Sequence, residues 1–316
     1  MQKTPLVIDR RILLAVYSIV PVLFLVVYID STVFAGALQK LLPTNPATLF
    51  FFAVLFNVPH HVASILTFFD RAYVQKYARP LLIGIIVVAL YAVVFVKYPF
   101  LALTLFVLYT EYHIISQQVG VTKFFGSLPA STLLLWKGTL LLLAFMAYTI
   151  VLPQSEFSQA LSFLHTEQWV WFAYLLSLCA TLLAVQATSH RSQRGMIISV
   201  FVSVASVLVL FYAGYPLFAL LISRVIHDVT AFIFYVTHDV NRNSSVTHNI
   251  VYTLMKTVQI PLILITPLVA VALGYFLQFS LTDTTFFLTL LFVSHYIVEG
   301  FMWKKGSPHR AQISFS

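Results

Sequence analysis

Long apolar runs dominate the pattern of hydrophobic and polar positions along the chain. A helix rises about 1.5 Å per residue, so about 20 apolar residues cross the hydrocarbon layer of a bilayer. Ten runs approach or reach this length, near residues 11–29, 47–69, 80–96, 100–119, 132–152, 169–188, 195–212, 215–237, 260–279 and 284–303. They predict an all-α fold, a polytopic integral membrane helical bundle that forms a single transmembrane domain over residues 1–316.

Composition supports a location in the membrane. Of the 316 residues, 60% are hydrophobic and 9% are charged, whereas about a quarter of the residues of a soluble domain are charged. A water-soluble fold of this size lacks the polar surface to cover so many apolar side chains. The single cysteine, Cys179, excludes an internal disulfide and a cysteine-based zinc or iron–sulfur site.

The basic residues indicate how the helices are oriented, because Lys and Arg are enriched in cytoplasmic loops. With the N-terminus inside, ten spans leave only Lys40 and Lys97 outside. The basic residues on the inner side are Lys3, Arg10, Arg11, Arg71, Lys76, Arg79, Lys123, Arg191, Arg194, Arg242, Lys256, Lys304, Lys305 and Arg310. This pattern predicts a multi-pass protein of an inner or plasma membrane with both termini in the cytoplasm. It also makes the lipid bilayer the partner, with no nucleic acid.

Histidine and carboxylate side chains within the predicted spans occur in four of them, the second, fourth, eighth and tenth. These residues are His60, His61, Glu111, His113, His227, Asp228, His295 and Glu299. An ionisable residue within a membrane helix is costly, so it indicates a function. All four helices run from the outside to the inside in the predicted topology.

Four of these histidines lie at the same depth. His60, His113, His227 and His295 each come nine to twelve residues before a charged residue at the inner end of the helix, and ten residues of helix cover about 15 Å. They can therefore meet near the middle of the membrane. Four helices that deliver imidazole to one layer are what a metal site in a helical bundle requires.

Three further residues complete the predicted ligand set: His61, His238 and Glu299. Glu299 follows His295 by four residues and shares its helix face, so it could bind the metal or orient the imidazole. His238 lies three turns beyond His227 on the same face and could hold a second metal ion or sit at the inner mouth.

Three other ionisable residues are predicted to be catalytic. Glu111 and Asp228 could handle protons, and Arg224 could pair with a carboxylate or with a substrate anion. Glu111 lies two residues from His113 and faces nearly the opposite way, so we do not expect one ion to bind both.

The chemistry of this ligand set suggests an enzyme. Imidazole and carboxylate without thiolate suit non-haem iron, with zinc and manganese as alternatives. An iron site with open positions activates dioxygen, and a site at mid-membrane is reached by dioxygen, water and lipophilic molecules. We therefore predict a metal-dependent oxidoreductase that hydroxylates, desaturates or cleaves a lipid, a hydrocarbon or an isoprenoid. Dioxygen and an electron donor would be its further partners.

Histidines within membrane helices also occur in known families of iron enzymes. Lipid desaturases and alkane hydroxylases carry HxxxH and HxxHH boxes, which this chain lacks. The Pro59-His60 start of the stretch Pro59-His60-His61-Val62-Ala63 resembles a Pro-His start in the bacterial β-carotene cleavage dioxygenases associated with rhodopsins. The resemblance covers one helix, and His61 stands where glycine is expected. It implies a wholly membranous fold with isolated histidines that bind iron.

Two other functions fit parts of the pattern. A proton-coupled transporter could use the same His, Asp, Glu and Arg residues as a relay, with Pro21, Pro59, Pro261 and Pro267 breaking helices near a site. Against it, the ionisable groups gather at one depth and no inverted repeat is evident. A structural or assembly protein without chemistry is the third possibility, in which histidines only bond helices together.

Overall fold

The structure is a computed structural model that describes residues 5–42, 57–151, 167–280 and 284–316. These residues form helices and isolated β-bridges but no strand, which confirms the all-α prediction over the described part of the chain. The helices are α1 (Arg10–Val16), α2 (Ile19–Thr32), α3 (Ala37–Leu41), α4 (Val58–Leu66), α5 (Arg71–Lys76), α6 (Ala78–Lys97), α7 (Pro99–Thr122), α8 (Ala130–Val151), α9 (Glu167–Gln186), α10 (Arg191–Tyr212), α11 (Pro216–Asn243), α12 (Ile250–Thr257), α13 (Leu262–Ser280) and α14 (Thr284–Met302).

Eight helices of the described residues are long and apolar enough to cross a membrane. They are Arg10–Thr32, which joins α1 and α2, then α6 to α11, and Leu262–Phe279 of α13. The second and tenth predicted spans correspond to the shorter apolar helices Val58–Phe69 and Phe286–Met302. Residues 47–56 of the second predicted span lie outside the described residues. The number of ten spans and the cytoplasmic location of both termini stay predictions.

The chain divides into two compact units. Unit I comprises the described residues 5–9, 57–102, 228–280 and 284–316, and unit II comprises 10–42, 103–151 and 167–227. The expectation of a single transmembrane domain over residues 1–316 stays a prediction.

Unit I is built around α4, the helix that carries His60 and His61. α4 packs against α13 and α14, and α14 packs in turn against α6. The approach of α13 is close because Gly274 presents no side chain to Pro59. Val62, Ala63, Ala231, Tyr235 and Ala270 belong to the buried apolar cluster that surrounds α4.

Polar bonds join the chain segments at one end of unit I. Asp70 accepts hydrogen bonds at 2.9 Å from the Ala72 backbone, as the N-cap of α5, and from Arg242 at the end of α11. Asn249 donates at 2.8 Å to the carbonyl of Leu66, the last residue of α4. These bonds join the end of α4 and the residues after it to the end of α11 and the segment that follows.

Unit II consists mainly of three helices that pack on one another, α8, α9 and α10, with α1 and α2 against α10. Trp136 of α8 is fully buried and donates to Thr181 of α9 at 3.1 Å. Near the end of α2, the buried carboxylate of Asp30 accepts from the backbone of Leu38 and from the hydroxyl of Tyr215 at 2.8 and 2.7 Å. A buried carboxylate is stable only with such donors.

Replacing Gly274 with leucine is predicted to destabilise unit I. A Cβ atom at this position would lie 3.2 Å from the ring of Pro59, so the larger side chain forces α13 away from α4 at a cost of about 1–3 kcal/mol. Thermal unfolding in detergent should occur at a lower temperature. Gly138→Leu is the matched control, because a Cβ there meets no atom within 4 Å. Equal unfolding temperatures of the two variants would contradict the close approach.

Candidate metal centre

Four buried histidines come together among the described residues. His60, His113, His227 and His295 each offer one ring nitrogen, and these nitrogens all lie within 4.8 Å of one another. The side chains are 0 to 7% exposed. They stand on α4, α7, α11 and α14, so the four histidines predicted to share a depth are close enough to bind one metal ion.

The spacing of these nitrogens fits a metal ion. Imidazole nitrogens lie about 2.0–2.1 Å from a bound metal, so two ligands of one ion are at most about 4.2 Å apart. The observed limit of 4.8 Å exceeds this by a distance that small rotations of the rings can close. Imidazole suits zinc, copper, iron and nickel.

Asp228 lies beside one of the four histidines. Its Oδ1 is 3.0 Å from Nδ1 of His60, and both side chains are fully buried. A carboxylate next to a metal-binding imidazole commonly sets the tautomer and the orientation of the ring. The sequence suggested that Asp228 handles protons, and in the structure it contacts His60 directly.

Glu299 stands beside a second histidine in the same way. Its Oε1 is 4.0 Å from Nε2 of His295, and it accepts a hydrogen bond from the hydroxyl of Tyr235. Glu299 lies outside the group of four histidines. Whether Glu299 binds the metal or orients the imidazole stays a prediction.

His61 packs against the group without belonging to it. Its ring centroid is 4.4 Å from that of His60 and 4.5 Å from that of His295. Its Nδ1 donates to the carbonyl of Asn57, and its ring stacks on Phe292 at 4.0 Å. These contacts place His61 at the edge of the histidine group.

On α7 and α11, the rings of His113 and His227 meet edge to face, with centroids 4.8 Å apart. Glu111 is buried on α7. Neither Glu111 nor Arg224 belongs to the histidine group. Their catalytic roles stay predictions.

His238 lies in another cluster. Its Nε2 is 2.9 Å from the hydroxyl of Tyr73, and its Nδ1 is 2.8 Å from Oδ1 of Asp239. The ring stacks on His309 at 4.6 Å. Both ring nitrogens thus have partners within the protein, and the role of His238 as a ligand of a second metal ion stays a prediction.

Three residues of these clusters had no role in the sequence analysis: Tyr73, Tyr235 and His309. His309 is fully buried and bonds to Thr67 and Tyr77 at 2.9 and 3.0 Å. It follows α14 in a short polar segment, where no periodic pattern marks a buried residue.

No protein-family model matches the chain, and no curated protein and no solved structure matches it either. The resemblance to the β-carotene cleavage dioxygenases therefore stays a prediction. What the chain does has to be argued from the geometry of these side chains.

Replacing Asp228 with asparagine is predicted to weaken metal binding. The amide keeps the shape of the carboxylate but lacks its charge, so the tautomer and basicity of His60 are less well set, at a cost of about 10–100-fold in affinity. Titration of the purified protein with metal ions measures the change. Glu167→Gln, which removes an exposed carboxylate from α9, should bind metal like the wild type. Equal affinities of both variants would argue against an orienting role.

His309 is predicted to make stability depend on pH. Burial lowers its pKa to about 2, and the charges of His238 and Arg242 act in the same direction. The folded protein therefore holds a neutral ring, while the unfolded chain takes up a proton below pH of about 6.5. The free energy of unfolding should fall by about 1.4 kcal/mol per pH unit as the pH drops below that value.

Thermal unfolding between pH 7 and about pH 5 tests this, since His309→Gln should lose about 2 kcal/mol less than the wild type. His248→Gln, at an exposed position, should keep the pH dependence of the wild type. Parallel curves for all three proteins would contradict a buried neutral His309.

Proposed function

We propose that the chain is a membrane-embedded, metal-dependent oxidoreductase, a non-haem iron oxygenase, hydroxylase or desaturase that acts on a lipophilic substrate. The observation that supports it is the group of four buried imidazoles from four helices, with nitrogens within 4.8 Å of one another. The helices that carry them are apolar along most of their length.

A metal ion explains this group better than bonding between helices does. A hydrogen bond between two helices needs one donor and one acceptor, so a pair of side chains is enough. Four imidazoles at one point bring together four basic nitrogens, which is more than a bond between two helices needs and which suits one cation. The carboxylates of Asp228 and Glu299 beside His60 and His295 supply the negative charge that a buried cation requires.

Iron is the metal of the proposal because imidazole suits it and because His60, His113, His227 and His295 would hold it while further coordination positions would stay open for dioxygen. Bound there, iron would bind and activate dioxygen. The chain itself holds the ligands: Asp228 orients His60, and Tyr235 holds Glu299 beside His295. The ring of His61 packs against those of His60 and His295 and stacks on Phe292.

A lipophilic substrate is favoured by the surroundings of α14. A cavity of about 430 Å³ lies in unit I, lined by residues of α4, α6 and α14 that include Ile65, Val88, Leu290 and Ile297. Its volume lies in the usual range of small-molecule sites. The lining is almost wholly apolar, so the cavity suits a hydrocarbon chain better than a polar solute.

Replacing the four histidines singly with alanine tests the metal. We expect the detergent-purified wild type to bind about one equivalent of iron with an affinity that each replacement lowers strongly, because each removes one ligand. His248→Ala, at an exposed position, is the control and should bind iron like the wild type. Iron content by elemental analysis is the measurement. Iron retained by all four variants would contradict the site.

The reaction is tested with the iron-loaded protein, a chemical reductant and ¹⁸O-labelled dioxygen. A hydroxylase or cleavage enzyme should give a lipid, hydrocarbon or isoprenoid product that contains ¹⁸O. A desaturase should give a product with two hydrogens fewer than its substrate. Activity should vanish with a chelator and return with iron. Protein that binds no metal but moves protons across vesicles would support the transporter instead.

A further inference from the structure

We propose that Tyr235, Trp303 and Tyr73 form an electron-transfer path through unit I, in which Tyr73 is a redox-active tyrosine held by His238 and Asp239. The inference rests on the proposed oxidoreductase, since a metal that activates dioxygen has to be supplied with single electrons. The three side chains of the proposed path deliver these electrons.

The path begins beside a histidine of the metal site. Tyr235 of α11 is fully buried, and its hydroxyl donates to Glu299, whose carboxylate lies 4.0 Å from Nε2 of His295. Tyr235 thereby bridges the neighbourhood of His295 and the ring of Trp303. The centroids of the Tyr235 and Trp303 rings are 5.6 Å apart.

Ring contacts continue from Trp303 to Tyr73. The indole lies 6.1 Å from the ring of His309 and 6.3 Å from that of His238, measured between centroids. His309 in turn stacks on Tyr73 at 4.0 Å. The rate of electron transfer between side chains falls steeply with distance, and tryptophan and tyrosine are the side chains that give up an electron most readily. The rings of His309 and His238 lie between those of Trp303 and Tyr73 in this series.

The surroundings of Tyr73 are those that oxidation of a phenol requires. A phenol that loses an electron becomes strongly acidic, so its proton needs an acceptor already in place. Asp239 accepts the Nδ1 proton of His238 at 2.8 Å, which leaves Nε2 as the acceptor for the Tyr73 hydroxyl at 2.9 Å. A carboxylate behind the imidazole stabilises the imidazolium that forms.

Burial protects the oxidised side chain. The exposed fractions of Tyr73, His238 and Asp239 are 3%, 1% and 2%. Asp239 is fixed from its other oxygen by the hydroxyl of Thr266. A tyrosine that served only to anchor α5 would need one hydrogen bond, whereas this one has an acceptor, a carboxylate behind it and a stacked ring.

The proposed transfer moves one electron and one proton of Tyr73. Tyr73 gives one electron through Trp303 and across Tyr235 to the metal site that dioxygen has oxidised, and its proton moves from the hydroxyl to Nε2 of His238. A one-electron carrier then reduces the Tyr73 radical, and the proton returns from His238. The net change is one electron from the carrier to the metal site. Arg71 and Lys76, exposed on α5 beside Tyr73, favour a carrier with an acidic surface.

The first experiment uses the full chain in detergent without added metal. A ruthenium photo-oxidant removes one electron, and electron paramagnetic resonance after freezing follows the tyrosyl signal. We expect a long-lived signal in the wild type and its loss in Tyr73→Phe, which keeps the ring but lacks the hydroxyl. His238→Gln, which keeps a hydrogen bond but is a poor proton acceptor, should also lose it. Tyr77→Phe, one turn away on the same segment, should keep it.

The second experiment mixes the iron-loaded protein with dioxygen in the absence of a donor. The same signal should form in the wild type and fail to form in Tyr73→Phe, and Trp303→Phe should lose it because phenylalanine is much harder to oxidise. Thermal unfolding checks that each variant is folded.

Each result decides between the claims. A signal unchanged by Tyr73→Phe under the photo-oxidant overturns the redox role of Tyr73, whatever the metal does. Stoichiometric iron with no signal after dioxygen overturns the path but leaves the proposed function standing. Failure of the wild type to bind iron overturns the proposed function, and the path falls with it because it then has no oxidant.

Discussion

The cost of a polar side chain in a lipid-facing fold is the constraint on which this structure depends. Water is not there to pair with it, so a buried imidazole or carboxylate persists only with a partner from the protein or with a bound ion. Unit I meets the constraint by pairing: His60 with Asp228 and His238 with Asp239 at hydrogen-bonding distance. The helices satisfy their own backbone groups, so the side chains alone have to be accounted for.

A histidine beside a carboxylate therefore occurs in two different surroundings in unit I. Beside Asp228, His60 belongs to a group of four histidines that are close enough to bind a metal ion. Beside Asp239, the second nitrogen of His238 meets a phenol. The role of each histidine depends on which group faces the ring nitrogen that the carboxylate does not contact. The packing of the neighbouring helices decides which group that is.

The sequence predicts the helices and the depth of the four histidines, because a constant rise per residue converts position along an apolar run into depth. It does not predict the roles of the carboxylates, since a residue one turn from a histidine can bind the metal or orient the ring, and rotamers decide between them. It also misses His309. That residue follows the last helix, and its burial against Tyr73 is a tertiary contact that no periodic pattern records.

X-ray absorption spectroscopy of the iron-loaded protein, combined with pulsed electron paramagnetic resonance on protein labelled with ¹⁵N-histidine, tests the central claim most directly. The account predicts four imidazole nitrogens at about 2.1 Å from the metal, the usual length of a metal–histidine bond, and coupling of the metal to labelled nitrogen. A shell of oxygen ligands alone, or a metal without coupling to histidine nitrogen, would contradict a site built from His60, His113, His227 and His295.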